Sequence, residues 1–249
     1  MKTCLVTDLG LAEYGSVRAL EARLVAARKA AAIPDVLLLC EHPPVITQGR
    51  NGKREHLLAS QRVLDQMGVA FFETNRGGDI TYHGPGQLVG YPILNLSEIR
   101  RDVGWYVCKL EEAMILATEE YGVASRRLAG KIGVWVGGAG ATEEKLAAIG
   151  VHLSRWVTSH GFAYNVATDL RNFDLIVPCG IAGKKATSLE KLLGRQVHVR
   201  EVAQRITERL GETLGLHMKP ASLAELLARL EEFESSAPNP GAREVGAMA

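Results

Sequence analysis

A surplus of charge of either sign is missing from this 249-residue chain: 29 Lys and Arg stand against 28 Asp and Glu, leaving a formal net charge of +1. No global field draws it to nucleic acid or to an anionic membrane, so charged partners must be met by local patches. A long apolar run is also missing. The start, Met1-Lys2-Thr3-Cys4-Leu5-Val6, lacks the uninterrupted apolar core of a signal peptide, and no stretch approaches the roughly eighteen apolar residues of a membrane span. A cytoplasmic location is expected. The sequence has neither GxxxxGK[ST] nor GxGxxG after a strand, so nothing in it marks a nucleotide site. The four cysteines, Cys4, Cys40, Cys108 and Cys179, have no metal-ligand spacing, and in a reducing compartment they are thiols. No metal and no cofactor is expected.

What is present is a mixture of short strand patterns and amphipathic helices. Strand-like TCLVTD (3–8) precedes a helix at Tyr14 to Ala30, where Val17, Leu20, Leu24, Val25 and Ala27 alternate with charge. VLLLC (36–40) and a proline-stiffened loop at Glu41 to Pro44 follow, then a helix over 57–67 stopped by Gly68. VAFFET, DITYH and QLVGYPILNL read as strands separated by glycine turns, and Asp102 to Tyr121 as a helix stopped by Gly122. KIGVWV, KLAAIGVHLS and GFAYNV are strands expected to be joined by glycine-bearing turns. Helices are expected at Thr187 to Leu193, Val199 to Leu214 and Ser222 to Phe233, with an aperiodic, disordered tail from Ser235. Without regular βαβ alternation, these elements predict an α+β domain, a mixed sheet flanked by helices.

Chemistry concentrates in two places. Arg76 to Gln87, RGGDITYHGPGQ, packs four glycines, a proline, an arginine and a histidine into twelve residues. Such a stretch either lets backbone amides approach a ligand or is only a tight hairpin. Cys179, between Pro178 and Gly180, sits where a turn can expose a thiol; Cys4, Cys40 and Cys108 lie in apolar surroundings and are assigned to the core. A thiol needs a base or a cation beside it. His83, His152, His160, Lys131, Lys145, Lys184 and Lys185 are the candidates, Lys145 standing out because it opens the small, apolar strand KLAAIGV. On the residues alone, Cys179 stays an inert thiol and Lys145 a solvated strand end until the two are brought together.

RGGDITYHGPGQLVGYPILNL reproduces the pattern R-G-G-x-x-T-aromatic-H-x-x-G-Q-x-x-x-Y of the lipoyl(octanoyl) transferases at every fixed position. EHPPVITQGR (Glu41 to Arg50), KLAAIGVHLSRWVTSHGFAYNV (Lys145 to Val166), and PCGI followed by Lys185 to Leu189 also resemble that family, in its order, over roughly residues 1 to 215. The resemblance implies the fold of the biotin and lipoate protein ligases, with a catalytic domain over 1–218 and a helix and tail over 219–249 that match nothing in it. It implies transfer of octanoyl from octanoyl-acyl carrier protein to the lysine of lipoyl domains, those of the 2-oxoacid dehydrogenases and the glycine cleavage H protein among them. By motif, Cys179 corresponds to the acyl-thioester cysteine and Lys145 to the lysine beside it. Substrate binding falls on Arg76, Gly77, Gly78, Asp79, Ile80, Thr81, Tyr82 and His83, with Ala148, Ile149 and Gly150, and Gly161, Phe162 and Ala163. One departure is the run Gly137 to Glu144, longer and more acidic than the family's turn.

Further expectations follow from this chemistry. Leu146 to Ile149 and Phe162 line a tunnel for the alkyl chain. His83 and His160 order the glycine loops. Oxyanion donors come from amides near Gly78 or at Cys179 and Gly180. The basic clusters Arg50, Lys53 and Arg54; Arg126 and Arg127; and Lys184 and Lys185 are docking candidates for acidic partners. The competing readings are an ATP-dependent lipoate or biotin protein ligase, a non-catalytic lipoyl-domain or carrier-binding module, and a cysteine hydrolase.

Overall fold

The computed structural model describes residues 1–138, 143–177 and 185–236. Among them, nine strands form one mixed sheet in the order β12 (Leu216–Pro220), β1 (Lys2–Leu11), β2 (Asp35–Glu41), β6 (Gln87–Ile93), β10 (Val157–Asn165), β9 (Glu144–Ser154), β8 (Lys131–Val136) and β7 (Arg126–Leu128), with β11 (Lys185–Ala186) pairing β9 off this path. β1 runs parallel to β2 and β12, and the path from β2 to β7 is antiparallel. A second sheet, β4 (Ala70–Glu73), β3 (Val45–Gln48) and β5 (Ile80–His83), carries the glycine-rich segment.

The continuous apolar run of β2 reflects cover on both faces of the sheet. Leu37 and Leu39 face the core built with α3 (Val103–Glu119) and α5 (Val199–Leu214). Val36, Leu38 and Cys40 alternate onto the opposite core, with Leu24 of α1 (Tyr14–Lys29) and Leu226 and Leu230 of α6 (Leu223–Ser236). Each of those two buried leucines contributes about 1.5–3 kcal/mol, enough to hold α6 on the main body although the resemblance does not reach it. The small sheet has its own core, where Ile46, Ile80 and Tyr82 meet Leu64 and Phe173. Helices on both faces of a mixed sheet match the expected fold class.

Several boundaries differ from expectation for physical reasons. α2 spans Gln61–Met67 and begins four residues late, because Leu57 and Leu58 are engaged elsewhere: Leu57 bridges Ile176, and the Leu58 N–H donates to Leu175 O at 2.9 Å. Ser60 then caps the helix, its side chain accepting from the Val63 N–H. α4 (Leu189–Leu193) likewise starts late, because the Thr187 N–H is taken by Lys145 O and Ser188 is the cap. The turn from β9 to β10 holds no glycine; Arg155 and Trp156 adopt φ of 51° and 65°, the left-handed pair of a tight hairpin. Cys108 is exposed on α3 and is not a core residue: Tyr106 and Leu110 hold the buried stripe, and position 108 falls outside it. Cys4 and Cys40 are buried, and burial pushes both thiols well above the ordinary range. β3, β7, β11 and β12 were not foreseen. The tail beyond Ser236 lies outside the described residues.

Candidate active site

The glycine-rich segment is stitched between the loop after β3 and the far end of β9. The amides of Gly49, Arg50 and Asn51 donate to the carbonyls of Asp79, Arg76 and Gly78, and the Gly77 N–H donates to Val151 O, all at 3.0–3.1 Å. Arg76 is buried and braces this arrangement: Nε and Nη2 reach Thr47 Oγ1 at 3.2 and 3.0 Å, and Nη1 donates to Gly77 O at 3.1 Å. Gly49 is required for the close approach, since a Cβ there would lie 2.4 Å from Gly78 O. Gly78, at φ 84°, turns its N–H to no acceptor among the described residues. Asp79 Oδ2 lies 2.6 Å from His56 Nδ1, a close contact whose alignment is too poor for a hydrogen bond.

A second network runs under the loop. His83 Nδ1 and Gln87 Oε1 are 2.7 Å apart, Gln87 Nε2 donates to Asn165 Oδ1 at 2.8 Å, and Asn165 Nδ2 donates to Thr187 O at 3.0 Å. Because Gln87 Oε1 only accepts, His83 carries its proton on Nδ1 and leaves Nε2 as the acceptor facing Thr47 Oγ1 at 3.3 Å. Burial, with His42 and Arg76 nearby, pushes His83 down to about 3. His160 is held at φ 56° by the Glu21 carboxylate, which accepts its backbone N–H; its Nε2 meets Asn75 Oδ1 at 2.7 Å. Burial and the Arg18 guanidinium push His160 down to about 2. Both histidines therefore stay neutral in the folded protein, as ordering groups would.

Their depressed values predict acid sensitivity. An unfolded chain takes up protons on these rings as pH falls through about 6.5, while the folded chain resists until about 3 and about 2, so the stability they contribute is present above 6.5 and is lost toward those values. At pH 5 the loss is about 2 kcal/mol for each ring. Urea unfolding at pH 7.5 and pH 5 should show it; equal stability at the two values would contradict the buried, neutral assignment.

Between the small sheet, α1 and the strands β6, β9 and β10 lies a cavity of about 70 Å³. Ile80, Val89, Ile149 and Phe162 give it apolar walls, and Ala148 and Ala163 keep those walls thin. Arg76, Gly78, Asp79, Thr81 and His83 supply the rim on the loop side, and Gly150 and Gly161 the backbone on the strand side. A Cβ on Gly150 would stand 2.8 Å from Gly77 O, and one on Gly161 2.0 Å from Gly90 O, so both are close-packing glycines. Tyr82 is turned away from the cavity and packs on Phe173, ring centroids 5.6 Å apart. Gly77 faces an adjoining open groove together with Val103, Val107 and Ile132. Leu146 and Ala147, expected as tunnel wall, belong instead to the core under α3 and α5. The sequence reading missed Tyr14 and Tyr91, which also face the cavity. Tyr91 is the last fixed residue of the glycine-rich motif, which was the available signal; Tyr14 opens an ordinary amphipathic helix and gave none.

Lys145 lines both the cavity and the groove, as do Gly78, Asp79, Ile149 and Gly150. Its strand position is fixed from two sides, by Trp135 of β8 and Ala186 of β11. Cys179, Gly180 and Lys184 lie outside the described residues, as does 139–142 of the Gly137 to Glu144 run. The chain on either side of 178–184 is anchored at this site: the Val177 N–H donates to His56 O at 2.8 Å, and the Thr187 N–H to Lys145 O at 2.9 Å. Of the basic clusters, Arg126 pairs Glu143 at 3.3 Å, Arg127 pairs Glu111 and Glu112 at 3.0 and 2.8 Å, and Lys53 pairs Glu55 at 3.5 Å.

A family model, the lipoyl protein ligase A/B catalytic domain, matches residues 13–211. The chain belongs to that family. Within the lipoyl protein ligase A/B family, an octanoyltransferase of Solibacter usitatus is 52% identical over 225 residues, covering 90% of this chain and 99% of its own length. An octanoyltransferase of Koribacter versatilis is 45% identical over 240 residues, covering 94% and 93%. Among solved structures, lipoate-protein ligase A bound with ATP has a TM-score of 0.72 over 95% of both chains at 15% identity. The bipartite lipoate protein ligase of Thermoplasma acidophilum has a TM-score of 0.70 at 14% identity, covering 95% of this chain and 93% of its own. At such identity these two speak for the fold alone. Among the described residues, no helix is long and apolar enough to cross a membrane.

Proposed function

We propose that this acyltransferase carries an octanoyl group from acyl carrier protein to the lysine of lipoyl domains in lipoate biosynthesis, through a thioester on Cys179 with Lys145 as the proton carrier. The acceptors we assign are the lipoyl domains of 2-oxoacid dehydrogenases and the glycine cleavage H protein. The reading rests above all on the placement of Lys145, an amine at the junction of an apolar-walled cavity and an adjoining groove. The anchoring of the chain that flanks 178–184 at the same spot supports it.

In the first half-reaction Lys145 accepts the Cys179 proton, and the thiolate attacks the carrier thioester carbonyl. The tetrahedral oxyanion needs a donor, and the Gly78 N–H, on the cavity rim and without another acceptor among the described residues, suits that role. Collapse expels the pantetheine sulfur, which takes the proton from Lys145. The incoming lysine amine then attacks the Cys179 thioester, its proton passes to Lys145, and the thiol is regenerated as the amide forms. A thioester becomes an amide, which is downhill, so ATP has no part in it. The cavity holds the alkyl chain, each buried methylene contributing about 0.8 kcal/mol.

The purified protein, an octanoyl-carrier thioester and a lipoyl domain should suffice for octanoyl transfer without ATP, with ping-pong kinetics. Transfer from free octanoate that requires ATP, with none from the thioester, would instead establish ligase chemistry.

A further inference from the structure

We infer that Trp135 is a positioning residue for the transfer: its ring face seats the Lys145 amine at the junction of cavity and groove. This rests on the proposed role of Lys145 as proton carrier. The Lys145 Nζ lies 4.7 Å from the centroid of the Trp135 ring, within the range of a cation–π contact. Trp135 is 1% exposed, so water does not compete for that face. The ring cannot rotate freely, because its Nε1–H donates to Lys131 O at 3.2 Å. Trp135 and Lys145 also stand opposite each other in the β8–β9 ladder, at a register shift between Val134 and Trp135.

Beside that irregularity is Gly133, at φ 125°, a backbone state that L side chains rarely adopt. A Cβ on Gly133 would lie 2.5 Å from Ala147 O, so the close approach of the β8 and β9 backbones requires glycine here, and the Lys145 stem runs past at ordinary contact distance, 3.5 Å from that Cβ position to Cε. The Gly133 N–H donates to Glu111 Oε1 of α3 at 2.9 Å, and Arg127 holds the other oxygen of that buried carboxylate at 3.0 Å. Helix α3 thus fixes the strand distortion beside Trp135, and the indole face sets where the Lys145 amine comes to rest. Ordinary strand packing explains a buried tryptophan but not a buried carboxylate divided between Arg127 and one glycine N–H beside it. An amine that must meet two different substrates in turn gains from being held in one place, since proton transfer depends steeply on position.

The test compares Trp135→Leu with Trp135→Phe, two apolar replacements of which only the second keeps a π face. We expect kcat for octanoyl transfer to fall about tenfold in W135L and clearly less in W135F, with KM for the carrier thioester unchanged and melting temperatures alike. Equal kcat in the two variants at matched stability would overturn the inference. A second readout does not depend on W135L folding: Lys145→Met should change the near-UV tryptophan signal in the wild-type background and leave it unchanged in W135F, and no change in the wild-type background would also overturn it. Lys145→Ala is the control for the underlying reading. If K145A transfers octanoyl normally, the mechanism fails whatever Trp135 does; if K145A is dead and W135L equals W135F, only the Trp135 inference fails.

Discussion

Lys145→Ala is expected to lower kcat by roughly 10²–10⁴-fold, the range that general acid–base catalysis supplies. Both half-reactions pass through the same amine, so both should slow: formation of the acyl-enzyme from carrier thioester and its discharge onto the lipoyl lysine. Folding should be little disturbed, because Lys145 is only partly buried and the strand pairing on either side of it is made by backbone atoms. Single-turnover measurement of each half-reaction is the appropriate check. A variant that loads octanoyl at the wild-type rate would remove Lys145 from the first step and confine it to the second.

Gly161→Ala is expected to have the largest effect on the fold. A Cβ at that position would stand 2.0 Å from Gly90 O and 2.6 Å from Pro92 Cδ, which means that β10 and β6, paired in the middle of the sheet, must move apart. Overpacking a core site costs typically 1–3 kcal/mol. Here the obstacle is backbone and not a side chain that can swing aside, so a loss of about 3 kcal/mol or more is expected, or failure to fold. Gly150→Ala is the instructive contrast. Its Cβ would meet Gly77 O at 2.8 Å, in a loop that can give way, so stability should fall less while octanoyl transfer falls with the displaced Gly77–Gly78 rim. Urea unfolding of both variants, with activity measured for the one that folds, checks the pair; a G161A protein as stable as the wild type would contradict the packing described for β6 and β10.

Much of this was legible in the residues because it depends on local pattern. The apolar stripes of α1, α3 and α5 follow directly from period, and Gly68, Gly122 and Gly215, all at positive φ, mark helix ends as glycine does. What sequence alone could not supply was tertiary. Residues 57–59 have helical composition but give their backbone to Leu175 and Ile176, partners more than a hundred positions away. The short strands β3, β7 and β11 are stabilised by their neighbours and not by their own sequence.

The site divides in the same way. The glycine-rich loop and the histidines announced themselves by composition, and Lys145 by being a lysine at the head of an apolar strand. Trp135, Glu111 and Gly133 did not, because a tryptophan in KIGVWV and a glutamate on a helix are unremarkable until the β8–β9 register sets them beside Lys145. Tyr82 was carried into the site by its place in the motif, yet strand alternation turns its ring into the small core between Thr81 and His83, which face the cavity.

The central claim is that Cys179 holds the octanoyl group between donor and acceptor. Intact-mass and peptide mass spectrometry of the protein incubated with octanoyl-carrier thioester, before any lipoyl domain is added, tests it most directly. The account predicts one octanoyl group, on the peptide containing Cys179, lost when a lipoyl domain is supplied and absent from Cys179→Ser. Full octanoyl transfer by the serine variant, or an adduct mapped to any other residue, would contradict it.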